Sequence, residues 1–246
     1  MAKQSGPIPF KGKIGGISFY IDKVHGGLAR TPGGPSKSQF KRRPSMQANR
    51  DNCSEFSKGS HFGKLIRRGL TSVITDCKEG TMNARLAGLL RNIISADKLN
   101  LRGERILRTE NLQKLFNEVE LNAAAPFSRF VQKLRIKESD EQLCVSCTNV
   151  SPADVKGATH WKVMSAVCEI TGEDTCSDVK ATDYIPTLTA KKRLVFEHKL
   201  PVSEFSFYGI SISYYVLRDG KYVLLEKIND VSDMKAGVIR FIGTAD

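Results

Sequence analysis

The sequence lacks a long apolar run. No stretch approaches the roughly 18 consecutive apolar residues that a membrane-spanning helix needs. The N-terminus, MAKQSGPIPFKGKIGG, also lacks the apolar core of a secretory signal. We therefore expect a cytoplasmic protein without a membrane span. Only four histidines occur among 246 residues, and none belongs to a recognisable catalytic triad or metalloprotease helix. The sequence predicts no catalytic residue and no enzyme.

Acidic residues are scarce in one part of the chain. Residues 1–70 contain 14 Lys and Arg but only the acids Asp22, Asp51 and Glu55, whereas residues 126–246 contain 16 residues of each sign. Nearly all of the formal net charge of +12 therefore belongs to the N-terminal part. This asymmetry favours nucleic acid, an anionic surface or an acidic patch on another protein chain as the partner.

Six cysteines offer one metal-like pattern, Cys144-x-x-Cys147 followed by His160. A zinc site of this type needs a second histidine soon after the first, and residues 164–166 are Met, Ser and Ala. Residues three apart in a strand also face opposite sides. We therefore predict buried thiols, no metal and no cofactor. Cys168 and Cys176 flank a predicted turn and are either free, as is usual in the cytoplasm, or joined as a disulfide.

Glycine, proline and basic residues dominate residues 1–54, which we interpret as an arm. Within it, Ile17–Ile21 and Leu28–Thr31 predict a β-hairpin around a glycine-rich turn. A lone hairpin is marginal in water and needs support from its own chain or from a neighbour. Residues 36–50 have almost no apolar side chains, so we predict an extended linker there.

Hydrophobic spacing changes after residue 54. Residues 55–125 predict two amphipathic helices and then a short helix over Leu112–Val119. The first begins at about Ser54, has an apolar stripe from Phe62 to Ile74 and ends at Gly80, and the second has its stripe from Met82 to Ile94. Residues 126–246 predict an antiparallel β-sandwich with a tight turn at Asp219-Gly220. The expected fold class is α+β, and the predicted strands are Phe130–Ile136, Gln142–Val150, His160–Thr171, Thr175–Ala181, Arg193–Leu200, Phe205–Arg218, Tyr222–Ile228 and Gly237–Gly243.

The basic arm admits three functional interpretations. As an assembly device, it adds a strand to an adjacent subunit, with contacts from Ile17, Phe19, Tyr20, Leu28 and Arg30. As a nucleic-acid-binding segment, it neutralises phosphates, with basic contacts from Lys37, Lys41, Arg42, Arg43, Arg50, Lys64, Arg67 and Arg68. As a solvated tail, it binds nothing.

The segment Gly12-Lys13-Ile14-Gly15-Gly16-Ile17-Ser18-Phe19-Tyr20, continuing through Gly27 to Arg30, carries a family resemblance. It resembles the N-terminal G-x-I-G-x-h-x-F/Y-Y pattern, with h apolar, of a family of uncharacterised proteins from Bacteroidota. The similarity extends loosely to Pro152-x-x-Val155 and to residues 157–160. The resemblance implies a glycine-rich arm, a helical middle and a C-terminal β-domain, and it implies no enzymatic role.

These observations predict a non-enzymatic structural protein whose arm links copies of itself into an oligomer or a filament. Arg30, Lys41, Arg42 and Arg43 would meet acidic groups on the neighbour. The alternative is a basic nucleic-acid-binding accessory protein. A third interpretation is a sandwich that binds carbohydrate or another small ligand, for which the candidate aromatic residues are Trp161, Tyr208, Tyr214 and Tyr215.

Overall fold

The computed structural model describes residues 2–4, 6, 10–31, 33–139, 142–151, 155, 157–187, 189–225 and 235–243. The chain forms two compact units, Met1–Arg50 and Asp51–Asp246. Their helices and antiparallel sheets confirm the predicted α+β class. No helix in the described part of the chain is long and apolar enough to cross a membrane.

The first unit contains a small antiparallel sheet. Its strands are β1 (Ala2–Lys3), β2 (Gly12–Ile14), β3 (Ile17–Asp22) and β4 (Gly26–Arg30), in the order β1-β4-β3-β2. Strands β3 and β4 confirm the predicted hairpin. The Asp22 carboxylate closes its turn by accepting the backbone N–H groups of His25 and Val24, and these bonds lower the pKa of Asp22.

The predicted extended linker is wrong, because residues 36–50 are mostly helical. Helix α1 (Lys37–Arg42) begins at Ser36, whose hydroxyl accepts the Gln39 N–H while the Gln39 side chain accepts the Ser36 N–H. This reciprocal capping satisfies two donors that a short helix otherwise leaves unpaired. A 3₁₀ turn follows at Pro44–Met46, and helix α2 begins at Gln47.

Helix α2 (Gln47–Gly69) begins in the first unit, and most of it belongs to the second. The second unit also contains α3 (Thr71–Ile74), α4 (Met82–Ser95) and α5 (Thr109–Leu115), with a 3₁₀ turn at Phe127–Arg129. The prediction of one continuous helix to Gly80 is wrong, because the backbone leaves the helical region at Leu70. The predicted third helix stops at Leu115, and Val119 belongs to a strand. Helices α2 and α4 pack closely, since a Cβ at Gly59 would lie 3.4 Å from the Arg91 nitrogen.

Two sheets form the rest of the second unit within the described residues. The larger sheet has the path β10-β8-β12-β14-β5, with β9 also on β8 and β13 also on β12, and the smaller has the order β11-β7-β6. The strands are β5 (Val119–Glu120), β6 (Val131–Ser139), β7 (Gln142–Val150), β8 (His160–Thr171), β9 (Asp174–Ala181), β10 (Ile185–Pro186), β11 (Lys191–Lys199), β12 (Ser206–Arg218), β13 (Lys221–Leu224) and β14 (Ala236–Phe241).

The larger sheet is covered on both faces. On β12, Tyr208, Ile210 and Ile212 pack in the sandwich core against the smaller sheet. Phe207 points to the opposite face and packs with the apolar side of the helices. The helices and the β-sandwich therefore share the larger sheet as their common support.

Some predicted positions differ in detail or fall outside this description. The structure adds β5 and β10, which are too short to show a period in the sequence. The predicted strand Tyr222–Ile228 is confirmed for β13, and residues 226–228 lie outside the described residues. Pro152, part of the family resemblance, also lies outside them.

Candidate self-association surfaces

One face of the arm sheet is apolar. Strand pairing places Ile14 opposite Ile17, and the alternation of β3 places Phe19 and Ile21 on the same face as Ile17. The Phe10 ring meets the Phe19 ring edge to face at 6.1 Å. Four of these side chains remain largely exposed: Phe10 (60%), Ile14 (64%), Ile17 (42%) and Ile21 (54%). We call this set, together with Phe19, the arm face.

The opposite face of the arm sheet carries the other predicted arm residues. Tyr20 pairs with Leu28 across β3 and β4, and Leu28 is buried. The Arg30 guanidinium lies over the Tyr20 ring at 5.5 Å from its centroid, a cation–π contact. Of the five predicted arm contacts, Ile17 and Phe19 therefore lie on the arm face, and Tyr20, Leu28 and Arg30 lie behind it.

Among the residues that the structure describes, the arm sheet has two open edges. Strands β1 and β2 are its outer strands and each pairs on one side only. The outward backbone N–H and C=O groups of an edge strand are available to a strand from another chain. The arm therefore combines an exposed apolar face with free backbone edges, the two requirements of docking by strand addition.

The predicted basic contacts fall on helices α1 and α2 and on the turn between them. Lys37, Lys41 and Arg42 lie on α1 and are exposed. The Arg50 guanidinium donates to the carbonyls of Phe40 (2.6 Å) and Arg43 (3.1 Å), so it stabilises the end of α1. The remaining predicted contacts lie on the later turns of α2, and they are Lys64, Arg67 and Arg68.

Arg68 is also engaged within the chain. Its guanidinium donates to the Glu173 carbonyl (2.6 Å) and to the Thr175 hydroxyl (3.0 Å) and so joins α2 to the β8–β9 turn. Arg50 and Arg68 therefore support local structure, and the exposed cations of α1 are better placed to meet a partner.

The second unit has a groove where two edge strands lie side by side. Strand β9 pairs only with β8, and β11 pairs only with β7, within the described residues. The Lys199 N–H donates to the Asp178 carboxylate (3.0 Å) and links the two edges at one end. Beyond this link lies an open groove of about 620 Å³, lined by residues 180–183 and 195–197. We call it the edge groove.

The edge groove is mixed in character. Val195, which is 43% exposed, supplies apolar surface, and Asp183 and Glu197 supply carboxylates, whereas Phe196 belongs to the sandwich core. Lys180 also lines the groove, and its positive charge is offset by an ion pair with Asp178 at 3.5 Å. A segment that is basic and apolar, with unpaired backbone groups, has the chemistry that complements this groove.

The aromatic residues proposed for ligand binding belong to the core. Trp161, Tyr208 and Tyr214 have no exposed surface, and Tyr215 has 8%. Burial raises the pKa of Tyr208 and of Tyr215 because it disfavours the phenolate. These four side chains therefore do not form an open aromatic surface for a sugar.

The cysteines occupy separate environments. In β7, Cys147 is buried against the sandwich core and Cys144 lies on the opposite face, as the strand period predicts. Burial raises the pKa of the Cys147 thiol to about 12. Cys168 is buried and Cys176 is exposed, and the register places Cys168 opposite Ser177, so these two cysteines are free.

Three strands bring together a set of side chains that the sequence analysis missed. Ser165 Oγ lies 2.7 Å from His198 Nε2, and His198 Nδ1 lies 3.3 Å from an Asp178 carboxylate oxygen. The order resembles a catalytic triad, but Ser165 has no exposed surface and His198 has 1%. A substrate cannot reach Ser165 Oγ in this arrangement, since a nucleophile must contact the reacting carbonyl. The set acts as a buried polar link between the two sheets.

Burial lowers the pKa of His198, although the Asp178 carboxylate opposes the change. In the unfolded chain the His198 imidazole therefore binds a proton near pH 6.5, whereas in the folded chain it stays neutral until a lower pH. We expect the free energy of unfolding to fall as the pH decreases from about 7 to about 5, by at most about 1.4 kcal/mol for each pH unit. Urea unfolding across this range measures the effect.

The His198→Gln variant should lose this part of the pH dependence. The His160→Gln variant is the matched control, because His160 is only half-buried, and it should keep the wild-type slope. An unchanged slope in His198→Gln would show that the buried imidazole does not govern stability in this range.

Comparison of the chain with models of known protein families and with curated protein sequences finds no match. The geometry of the arm face, the open edges and the edge groove is therefore the basis for inferring a function.

Proposed function

We propose that this protein is a non-enzymatic structural protein that self-associates through residues 1–50 into an oligomer or a filament. The observation that carries the proposal is the arm face, whose apolar side chains are about half exposed beside open strand edges. Complete burial of one isoleucine contributes about 1.5–3 kcal/mol, and about half of that gain is still available at each of these positions.

The acceptor in this proposal is the edge groove of a second copy. It offers two strand edges, the partly exposed side chain of Val195, and the carboxylates of Asp183 and Glu197. The arm offers strand edges, apolar side chains and the exposed cations of α1. Charge complementarity orients the contact, and backbone pairing with apolar burial stabilises it.

The proposed contact joins two different surfaces, an arm and a groove. Such a heterologous contact leaves a free arm at one end and a free groove at the other. Successive subunits therefore add to form an open filament, unless the rotation between neighbouring subunits closes the assembly into a ring.

A substitution on the arm face tests this proposal. We expect Ile17→Lys to lower the average mass in solution to the 27.2 kDa of one chain, because it places a charge within the apolar contact. The unmodified protein should show at least twice that mass, rising with concentration. Light scattering coupled to size-exclusion chromatography measures both.

The matched control is Val24→Lys, which makes the same kind of change in the hairpin turn at a side chain that is already 84% exposed. It should assemble like the unmodified protein. An unmodified protein that remains at 27.2 kDa at every concentration, or an Ile17→Lys variant that assembles normally, would contradict the proposal.

A further inference from the structure

The outer face of the smaller sheet carries a row of cations. In β6, Lys133, Arg135 and Lys137 occupy alternate positions and therefore point to the same side. The register places Arg193 of β11 in line with Thr148 of β7 and with Lys133. All four cationic side chains are exposed. We call these four residues the cationic face.

The centre of this face is a depression with hydroxyl groups in its floor. It has a volume of about 330 Å³ and is lined by Arg135, Lys137, Cys144, Ser146, Thr148 and Arg193. Ser146 and Thr148 lie on the middle strand, between the cations of β6 and Arg193 of β11. Cations at the rim and hydroxyl donors in the floor are the groups that bind phosphate oxygens.

The four cations are not neutralised within the chain. None of them has a carboxylate within the 4.0 Å of an ion pair in the described part of the protein. Glu197 of β11 also lies on this face. The register places it in line with Cys144 and Lys137, with the β7 strand between the carboxylate and the Lys137 ammonium. Residues 126–246 carry no net charge, so these cations are a local concentration of charge and do not follow from composition.

We infer that the cationic face binds the phosphate backbone of a nucleic acid. The cations of β6 recur about every 6.8 Å along an extended strand, which suits a ligand whose charges repeat along its length. The face has no aromatic side chain for stacking, and its apolar residue is Val195, which is 43% exposed. The hot spots of protein–protein interfaces commonly include Trp or Tyr anchors, and the residues described on this face supply neither. Binding should therefore be independent of base sequence.

This site differs from the arm face and borders the edge groove, because Val195 and Glu197 of β11 belong to both the groove and the outer face of the smaller sheet. It lies on exposed side chains of β6, β7 and β11 and uses none of the residues of the arm face. Three of its cations come from β6, and the register of the smaller sheet adds Arg193 of β11 to them.

Fluorescence anisotropy with a labelled oligothymidine tests the inference on the full-length protein. We expect the double variant Arg135→Gln/Arg193→Gln to bind about 25-fold more weakly at about 0.1 M salt, because two phosphate contacts contribute about 1.4 to the slope of log K against log salt. The slope itself should decrease in magnitude by about 1.4. Ser146→Glu, which places a negative charge in the depression, should weaken binding as well.

The matched control is Lys98→Gln/Lys114→Gln, which removes two exposed cations elsewhere in the same unit. It should bind oligothymidine like the unmodified protein. Equal binding by the two double variants would overturn the inference and assign any affinity to other cations, such as those of the arm. An equal loss of binding to labelled polyglutamate would also overturn it, since the face would then bind anions without preference for phosphate. Solution mass and thermal unfolding of each variant establish that assembly and folding are unchanged.

Discussion

Gly69→Ala is expected to destabilise the second unit by at least about 3 kcal/mol, the upper end of the usual cost of overpacking. A Cβ at Gly69 would lie 1.9 Å from the Cys168 sulfur and 2.9 Å from the Cys168 Cβ. The Gly69 carbonyl also accepts the Ser177 hydroxyl at 2.5 Å, which fixes the end of α2 against the larger sheet. The helix must move away from the sheet to accept even one methyl group.

A substitution of Cys168, the residue that the added methyl group would meet, tests whether this clash causes the loss of stability. Cys168→Ala removes the sulfur, so Gly69→Ala/Cys168→Ala should be more stable than Gly69→Ala alone, a coupling that only direct contact explains. Gly88→Ala is the control, since a Cβ at Gly88 meets nothing within 4 Å and alanine favours the helix by up to about 1 kcal/mol. Urea unfolding of the unmodified protein, Gly69→Ala, Cys168→Ala, the double variant and Gly88→Ala measures these effects. A Gly69→Ala variant as stable as Gly88→Ala would show that α2 does not dock at β8.

Much of the sandwich can be predicted from the sequence, because its strands alternate apolar and polar residues. The predicted bounds of β7 and β8 agree with the structure. The turn at Asp219-Gly220 is confirmed by positive φ angles of 47° and 74° and by the pairing of Arg218 with Lys221. At these places local chemistry and hydrophobic period favour the same structure.

The extended linker predicted over residues 36–50 is wrong because local capping interactions favour a helix where the composition favours an extended segment. Residues 36–50 are basic and polar, which is typical of a linker, yet the Ser36–Gln39 capping pair and the Arg50 guanidinium hold α1 together. The pattern Ser-x-x-Gln was present in the sequence as a helix-start signal. In this segment the capping signal is the better guide to structure than composition.

The candidate sites depend on contacts between distant parts of the chain. The edge groove requires β9 and β11 to lie side by side, and the cationic face requires the register of β6, β7 and β11. The link between Ser165, His198 and Asp178 likewise joins three strands. Neither period nor motif specifies which strands become neighbours, so the sequence alone contains no direct signal for these sites.

If the arm docks in a second copy, a cross-link between arm and groove should form when two labelled populations are mixed and should not form in either population alone. One population carries Lys13→Cys at the open edge strand β2, and the other carries Ala181→Cys at the edge groove. Cys53→Ser, Cys144→Ser and Cys176→Ser in both populations remove the native thiols that are exposed or half-buried. Each population carries an introduced cysteine on only one of the two surfaces, the arm or the groove. A bis-maleimide can therefore link arm to groove only when the two populations are mixed.

The yield of covalent dimer in that mixture tests self-association through the arm most directly. We predict a product of twice the 27.2 kDa chain mass that forms in the mixture and is strongly reduced by Ile17→Lys in the arm-labelled chain. No dimer in the mixture, together with internal cross-linking in a single chain that carries both Lys13→Cys and Ala181→Cys, would contradict it by showing that the arm binds its own chain.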